Sequence, residues 1–214
     1  MNVQHPDIKI RYIRTKNKTR KLVTYSSDDC ELRVRHKRIN DFIEARFIPS
    51  IFSKGYVKNR SIYHNALAHL YNDYFIMLDI KDFFPHICHK QLADKLFYEM
   101  NLLSREQISM KECKNVIELC SVSSRGLPLG FITSPLLSNV YMKEFDGIFF
   151  GQLKKLGLEN PIYTRYVDDI TVSFKYSNRI PPIEVENQVV DLAQSLLSKY
   201  GLQLNNRKKR SYNF

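Results

Sequence analysis

The sequence predicts a mixed α/β (α+β) fold, on three observations. Short runs rich in β-branched and aromatic residues alternate with longer stretches whose apolar residues recur every three or four positions. Two of the most apolar runs carry acids at one end, Phe75 to Asp79 and the pair of arms flanking Asp168-Asp169. Glycine is scarce, 7 of 214 residues, with no repeat, low-complexity tract or linker, so the chain is expected to bury one good core with a smaller subdomain attached.

The elements follow in order. Ile8 to Thr15 and Arg20 to Ser26 are expected as strands around a Lys16-Asn17-Lys18-Thr19 turn, with a helix from about Asp28 to Phe47 after them. Phe75 to Ile80 is a continuous apolar run and is expected as a buried strand. Helical spacing covers about Lys90 to Met100 and Arg105 to Ser121, and a long helix from Ser134 to Leu156 starts at Thr133-Ser134-Pro135, where a hydroxyl can cap and proline suits the first turn. Ile162 to Tyr166 and Ile170 to Phe174 make a hairpin with Val167-Asp168-Asp169 at its turn. A helix from Ile183 to Tyr200 stops at Gly201, and Leu202 to Leu204 with Lys209 to Asn213 supply a last strand. From Phe75 onward this gives a β-α-β-β-α-β order, the ferredoxin-like split βαβ arrangement.

Charge and cysteine usage narrow the function. A formal net charge of +11 implies a polyanionic partner, with basic clusters at Lys9 to Arg20, Arg33 to Arg38 and Arg207 to Arg210. The four cysteines, at 30, 88, 113 and 120, show no paired spacing, and no signal peptide or long apolar segment is visible, so a reducing cytoplasm and no membrane association are expected. His86, Cys88 and His89 cluster, but no second ligand pair follows at finger spacing and zinc is not expected.

The acids carry the chemistry. Asp-Asp at a turn that lacks Gly and Asn serves charge before backbone geometry. Asp79 ends a core strand, where an unpaired carboxylate would cost several kcal/mol, roughly, unless it is exposed or held by a cation. Three carboxylates from two strands suit Mg²⁺, which takes hard oxygen ligands and shares them with substrate phosphates. Two such ions could activate a 3′-hydroxyl and stabilise a pyrophosphate leaving group.

Asp79-Ile80-Lys81-Asp82-Phe83-Phe84-Pro85, Gly126-Leu127-Pro128-Leu129-Gly130-Phe131-Ile132-Thr133-Ser134-Pro135 and Tyr166-Val167-Asp168-Asp169 resemble, in that order, motifs A, B and C of reverse transcriptases. Gly55-Tyr56-Val57, Arg60-Ser61-Ile62 and Asn65-Ala66-Leu67-Ala68-His69 resemble the NAxxH region of bacterial retron-type enzymes, whose pattern defence-associated relatives share. The resemblance implies a fingers-like region over residues 1–72, with contributions from about 85–125, and a palm over 73–214 with motifs A to D. It implies no thumb before the chain ends at Phe214.

The resemblance also implies roles. Asp79, Asp168 and Asp169, with the carbonyl of Ile80, would hold two Mg²⁺ ions, with Mn²⁺ as a possible substitute. Arg20, and less specifically Lys18, would hold the triphosphate, helped by the backbone amides of Asp82 and Phe83. Phe84 would be the steric gate beneath C2′, Lys208 the motif D lysine that protonates the departing pyrophosphate, and Arg60, Asn65, His69, Gly130 and Tyr166 nucleic-acid contacts. Leu129 departs from the pattern: it stands where motif B usually has Gln, in the nucleotide pocket.

The expected function is an RNA-directed DNA polymerase, retron-like or in bacterial antiviral defence, acting on dNTPs with an RNA template and nascent DNA. A structured noncoding RNA and a separate thumb, subunit or effector protein are further partners the resemblance allows. Two alternatives remain open: an untemplated or protein-primed polymerase of the abortive-infection type, which Leu129 keeps alive, and a catalytically silent RNA-binding scaffold.

Overall fold

A computed structural model describes residues 6–15, 18–176 and 182–213. In chain order the elements are a hairpin of β1 (Ile8–Thr15) and β2 (Lys18–Tyr25), helices α1 (Glu31–Glu44) and α2 (Ile62–Ala68), and strand β3 (Tyr74–Asp79). Helices α3 (Phe83–His86), α4 (His89–Leu102), α5 (Met110–Leu119) and α6 (Ser134–Leu153) follow. A second hairpin of β4 (Glu159–Tyr166) and β5 (Asp169–Lys175), helix α7 (Pro182–Lys199) and β6 (Arg210–Asn213) complete the chain. Lys16 and Asn17 of the expected first turn, the side chain of Lys18, and Phe214 lie outside what is described.

The differences from expectation have local causes. Helix α5 starts at Met110 and not Arg105, because Ser109 and Glu112 form a capping box: the Ser109 hydroxyl accepts from the Glu112 amide, and the Glu112 carboxylate accepts from the Ser109 amide. Helix α6 gives way after Leu153 to a short 3₁₀ turn that Gly157 closes at φ 72°. Of the Leu202 to Leu204 stretch only a bridge forms, between Leu204 and Ile80. Helix α2 was not anticipated, since none of its residues is buried and periodicity had nothing to report.

The chain divides into two compact units, residues 1–48 with 84–141 and residues 49–83 with 142–214. The boundary expected near residue 72 falls after Ile48. Residues 49–72 are tied into the second unit by Arg165 N–H donating to Phe52 O at 2.9 Å and by hydrogen bonds from His69 to both strands of the second hairpin.

In the first unit β1 and β2 pair without irregularity from Ile8 opposite Tyr25 to Thr15 opposite Lys18. Val23, Leu32 and Phe131 form a small core, with Tyr25 stacked on Phe131 and its hydroxyl 2.7 Å from His36 Nδ1. Helices α4 and α5 pack together, burying Leu92, Leu96, Met100, Cys113 and Ile117.

The second unit is a four-stranded antiparallel sheet in the order β4-β5-β3-β6. Helix α6 connects toward β4 and α7 links β5 to β6, so the β-α-β-β-α-β order and its ferredoxin-like strand arrangement are both present. Tyr74, Ile76 and Leu78 point one way from β3 into a core shared with Ile170, Val172 and Phe174, as strand alternation requires. Aromatic contacts knit the helices to it: Phe149 of α6 meets Tyr163 of β4 edge-on, and Phe145 stacks on Phe149 and meets Tyr200. A sheet buried this firmly on one face gives its strand ends fixed positions, and the acids sit on those ends.

Candidate active site

Asp79 is the last residue of β3 and Asp169 the first of β5, and the two are direct cross-strand partners. Asp168 occupies the adjacent turn, which is therefore two residues, Val167 and Asp168, and not the three expected, since Tyr166 pairs with Asp169. The amide of Ile80 donates to Asp168 O at 2.9 Å and ties the turn to the end of β3. Val167 adopts φ 62°, a left-handed conformation that a β-branched residue rarely takes. Three acids thus lie at one end of the sheet, two on neighbouring antiparallel strands and one on the turn beside them.

Charge balance shows what this end of the sheet lacks. Asp79 is only 6% exposed, and Lys208 donates to its Oδ1 while Asn205 Nδ2 donates to its Oδ2 at 3.1 Å. The Asn205 amide also bonds the Asp79 carbonyl at 2.8 Å. Asp169 titrates higher than an ordinary carboxyl, through partial desolvation first and then the charges of Asp168 and Asp79, with Lys208 opposing. The Lys208 ammonium is correspondingly held above its usual value, chiefly by its bond to Asp79. One ammonium against three carboxylates leaves an excess of negative charge that a divalent cation would neutralise, and all-oxygen donors suit a hard one. The residues fit such an ion in charge and donor type; among the described residues no three His, Cys, Asp or Glu side chains are already gathered around one position.

The other expected site residues fall into three groups. Ile80 is fully buried, so only its backbone is available, and Tyr166 is half-buried opposite Asp169. In the first unit, Arg20 is exposed on β2 opposite Ile13, and Phe84 is half-exposed, whereas its neighbour Phe83, in the second unit, is 2% exposed and part of the core. Asp82 is at φ 46°, the sharp bend that follows the motif A strand. Leu129 is half-buried and its carbonyl accepts from the Val23 amide at 2.8 Å, so its backbone is fixed whatever the side chain. Gly130 is at φ 110°, and a Cβ there would stand 2.5 Å from Val23 O, which only glycine avoids.

Arg60, Asn65 and His69 are occupied differently from the nucleic-acid contacts expected. Arg60 Nη1 donates to the carbonyls of Ser50 and Ser53 at 2.5 and 2.7 Å. His69 is 3% exposed and uses both ring nitrogens, on Ser173 Oγ at 2.6 Å and Thr164 Oγ1 at 2.7 Å. Burial, and then the nearby Lys54 charge, push its pKa down to about 4, so it is a neutral strut across the hairpin. Asn65 is half-buried, and its Oδ1 has no hydrogen-bond partner. The histidine of the NAxxH region is thus tied to both strands of the second hairpin.

Sequence reasoning missed Asn205 and a fully buried ion pair. Arg165 Nε and Nη2 donate to Asp146 Oδ1 and Oδ2 at 2.8 and 2.9 Å, and the Tyr163 hydroxyl donates to the same Oδ1 at 2.7 Å. Burial opposes the Arg165 charge, but Asp146 more than compensates and raises its pKa, while burial and Asp146 raise that of Tyr163. The available signal was a charge set among apolar residues: Arg165 lies within the expected strand from Ile162 to Tyr166, and Asp146 follows Phe145 in the expected long helix.

A ferredoxin-like sheet with an acid pair at one hairpin and a third acid on the neighbouring strand defines a polymerase palm. A family model described as reverse transcriptase (RNA-dependent DNA polymerase) matches residues 15–213, and the chain belongs to that family. It is similar to the retron Ec73 reverse transcriptase of Escherichia coli, 38% identical over 124 residues, covering 55% of this chain and 38% of the relative. It is also similar to the retron Ec86 reverse transcriptase of the same organism, 29% identical over 159 residues, covering 74% and 44%. The chain spans less than half the length of these relatives. Among solved structures, apo telomerase from Candida tropicalis truncated from its C-terminal domain superposes with a TM-score of 0.62 at 14% identity, over 100% of this chain and 52% of that one. Telomerase from Candida albicans in complex with a telomeric RNA fragment gives 0.58 at 15%, over 97% and 43%. At such identities the likeness is one of fold.

Proposed function

We propose that this chain is the fingers and palm of a retron-type reverse transcriptase that adds dNTPs to a primer on an RNA template. The observation that carries the reading is the cross-strand register of Asp79 with Asp169 beside Asp168 at the braced turn. The retron assignment is supported by the relatives' names and by the NAxxH region.

Bound divalent ions, Mg²⁺ in this proposal, would lower the pKa of the primer 3′-hydroxyl and offset charge on the phosphates. The chain's own residues supply the rest. Asp79, Asp168 and Asp169 offer oxygen ligands, and Asn205 holds the Asp79 carboxylate in one orientation. Lys208, already charged and hydrogen-bonded beside Asp79, carries a proton that it can give to the leaving pyrophosphate. Arg20 is exposed and can grip phosphate oxygens bidentately, with Lys18 as a second cation; the half-exposed Phe84 ring has the bulk to exclude a 2′-hydroxyl. The +11 charge draws in template and primer through phosphate contacts. The setting is the bacterial cytoplasm; among the described residues no helix is long and apolar enough to cross a membrane.

The test is primer extension on an RNA template with Mg²⁺ and dNTPs, followed by sequencing of the product. Complementary DNA from the wild type and none from Asp168→Ala is the expected result. Products unrelated to the template would favour the untemplated alternative that Leu129 raises, and no product from the wild type under any divalent ion would favour the silent scaffold.

A further inference from the structure

The Val167-Asp168 turn stands in a conformation it would not choose. A hairpin turn with positive φ only at its first central residue normally places glycine there, and here that residue is Val167 at φ 62°. Such a conformation persists only where its surroundings over-determine it, and three contacts do so. With Nε and Nη2 committed to Asp146, Arg165 has Nη1 left to donate to Val167 O at 2.9 Å. The segment before α2 lies along the Arg165 backbone, with Arg165 N–H donating to Phe52 O at 2.9 Å and Lys54 N–H to Arg165 O at 2.8 Å; Arg60 fastens that segment through Ser50 O and Ser53 O. Gly55 then meets the turn itself. A Cβ on Gly55 would stand 2.7 Å from Val167 Cγ2, 2.8 Å from Val167 N and 3.3 Å from the Tyr166 carbonyl carbon, the second and third of these being backbone.

Stability alone does not explain a fully buried ion pair, since apolar side chains of like volume usually serve as well. What they cannot do is aim a donor at one carbonyl. We infer that Asp146, Arg165 and Gly55 form a brace that sets where Asp168 and Asp169 present their carboxylates, and that all three are positioning residues for the proposed nucleotidyl transfer. The inference rests on the polymerase reading for its purpose but on geometry for its existence. It assigns Gly55, in a loop without chemistry of its own, a role through shape: the only side chain that lets the loop touch the turn is none.

The experiment compares wild type with Gly55→Ala, a change that leaves the ion pair and every carboxylate in place. Two readouts are taken: Mn²⁺ affinity by electron paramagnetic resonance, and amide hydrogen exchange at Ile80, whose N–H is held by Asp168 O and reports the turn without any metal. The brace predicts a loss of Mn²⁺ affinity of about 10- to 100-fold, the usual range for residues that orient metal ligands. It also predicts faster exchange at Ile80 while Ile76, in the middle of β3, exchanges as before. Adding Val167→Gly to Gly55→Ala removes the Cγ2 clash and should recover part of both. A purely structural role would instead speed exchange at Ile76 and Ile80 together. Should Gly55→Ala fail to fold, Arg165→Lys asks the same question, since it keeps a charge for Asp146 and lacks the Nη1 donor.

Unchanged Mn²⁺ affinity with unchanged Ile80 exchange in a folded variant would overturn the brace and leave the polymerase reading standing. A wild type that takes up no Mn²⁺ would overturn the polymerase reading, and Ile80 exchange would still decide the brace.

Discussion

The two hairpins of this chain solve the same problem by opposite means. β1–β2 pairs over eight residues without a register shift and exposes much of its β1 surface, with Ile10, Tyr12 and Ile13 all about half or more open to solvent. β4–β5 carries a register irregularity between Glu159 and Ile162 and buries every β5 residue from Ile170 to Phe174, yet it holds the strained turn. The first hairpin keeps an unbroken ladder and touches the rest of its unit mainly through β2, where Val23 and Tyr25 meet Leu32, His36, Leu129 and Phe131. The second is specified by what surrounds it, an ion pair, a histidine strut and a glycine contact, so its turn can be given acids that local preference would not choose. The proposed site sits where the surroundings, and not the local sequence, dictate the backbone.

Substitutions at the acids should break the comparison most completely. Asp79→Ala and Asp168→Ala should each lower single-nucleotide incorporation more than about a hundredfold, roughly 3 kcal/mol of barrier, with circular dichroism unchanged. Substitutions at the exposed apolar residues of β1, Ile10, Tyr12 and Ile13, should have no effect on folding or chemistry of that order. Retention of a tenth of the wild-type rate would be too small a loss for a metal ligand.

Next comes the buried pair. Asp146→Asn leaves a buried guanidinium without its counter-charge and should cost about 3–5 kcal/mol in urea unfolding. Replacing exposed Arg20 with alanine should change stability by less than about 0.5 kcal/mol and show itself as a raised KM for dNTP. Equal destabilisation by the two would remove the distinction between the hairpins.

The strut gives a pH signature. His69 has its folded-state pKa depressed to about 4, so the folded state binds fewer protons than the unfolded one between about 4 and 6.5. Its contribution is fully present above the unfolded pKa and is lost as pH falls through that window, about 3 kcal/mol in all. Urea midpoints of wild type and His69→Gln, followed from pH 7 to pH 4.5, should converge as the pH drops. Parallel curves would mean that His69 is not held neutral.

The smallest effect is expected at Leu129. Its tie to β2 is a backbone hydrogen bond to Val23, so Leu129→Gln should leave stability nearly unchanged and hold or raise templated incorporation. A sharp loss would show that the pocket is built around an apolar contact.

Much of this was readable in the sequence, for physical reasons that differ by region. The palm order was legible because its strands are apolar runs and α7 an amphipathic stretch closed by Gly201, and the acids were legible because charge at the end of a core strand demands a partner. The brace was not. Asp146 and Arg165 are nineteen residues apart and Gly55 more than a hundred from Val167, so their meeting is a product of topology that no local pattern encodes. For the same reason the long-range bonds of His69 to Thr164 and Ser173, which make it part of the hairpin's support, leave no trace in the local sequence. The exposed α2 left no periodic trace at all.

The central claim is that Asp79, Asp168 and Asp169 gather a divalent ion at one end of the palm sheet. Iron-directed cleavage tests it most directly: Fe²⁺ is allowed to take the ion's place, ascorbate and peroxide are added, and the sites of backbone scission are mapped. Cuts beside Asp79 and within Tyr166 to Asp169, suppressed by excess Mg²⁺ and lost in Asp168→Ala, are the predicted result. Cuts elsewhere with these segments intact would contradict it.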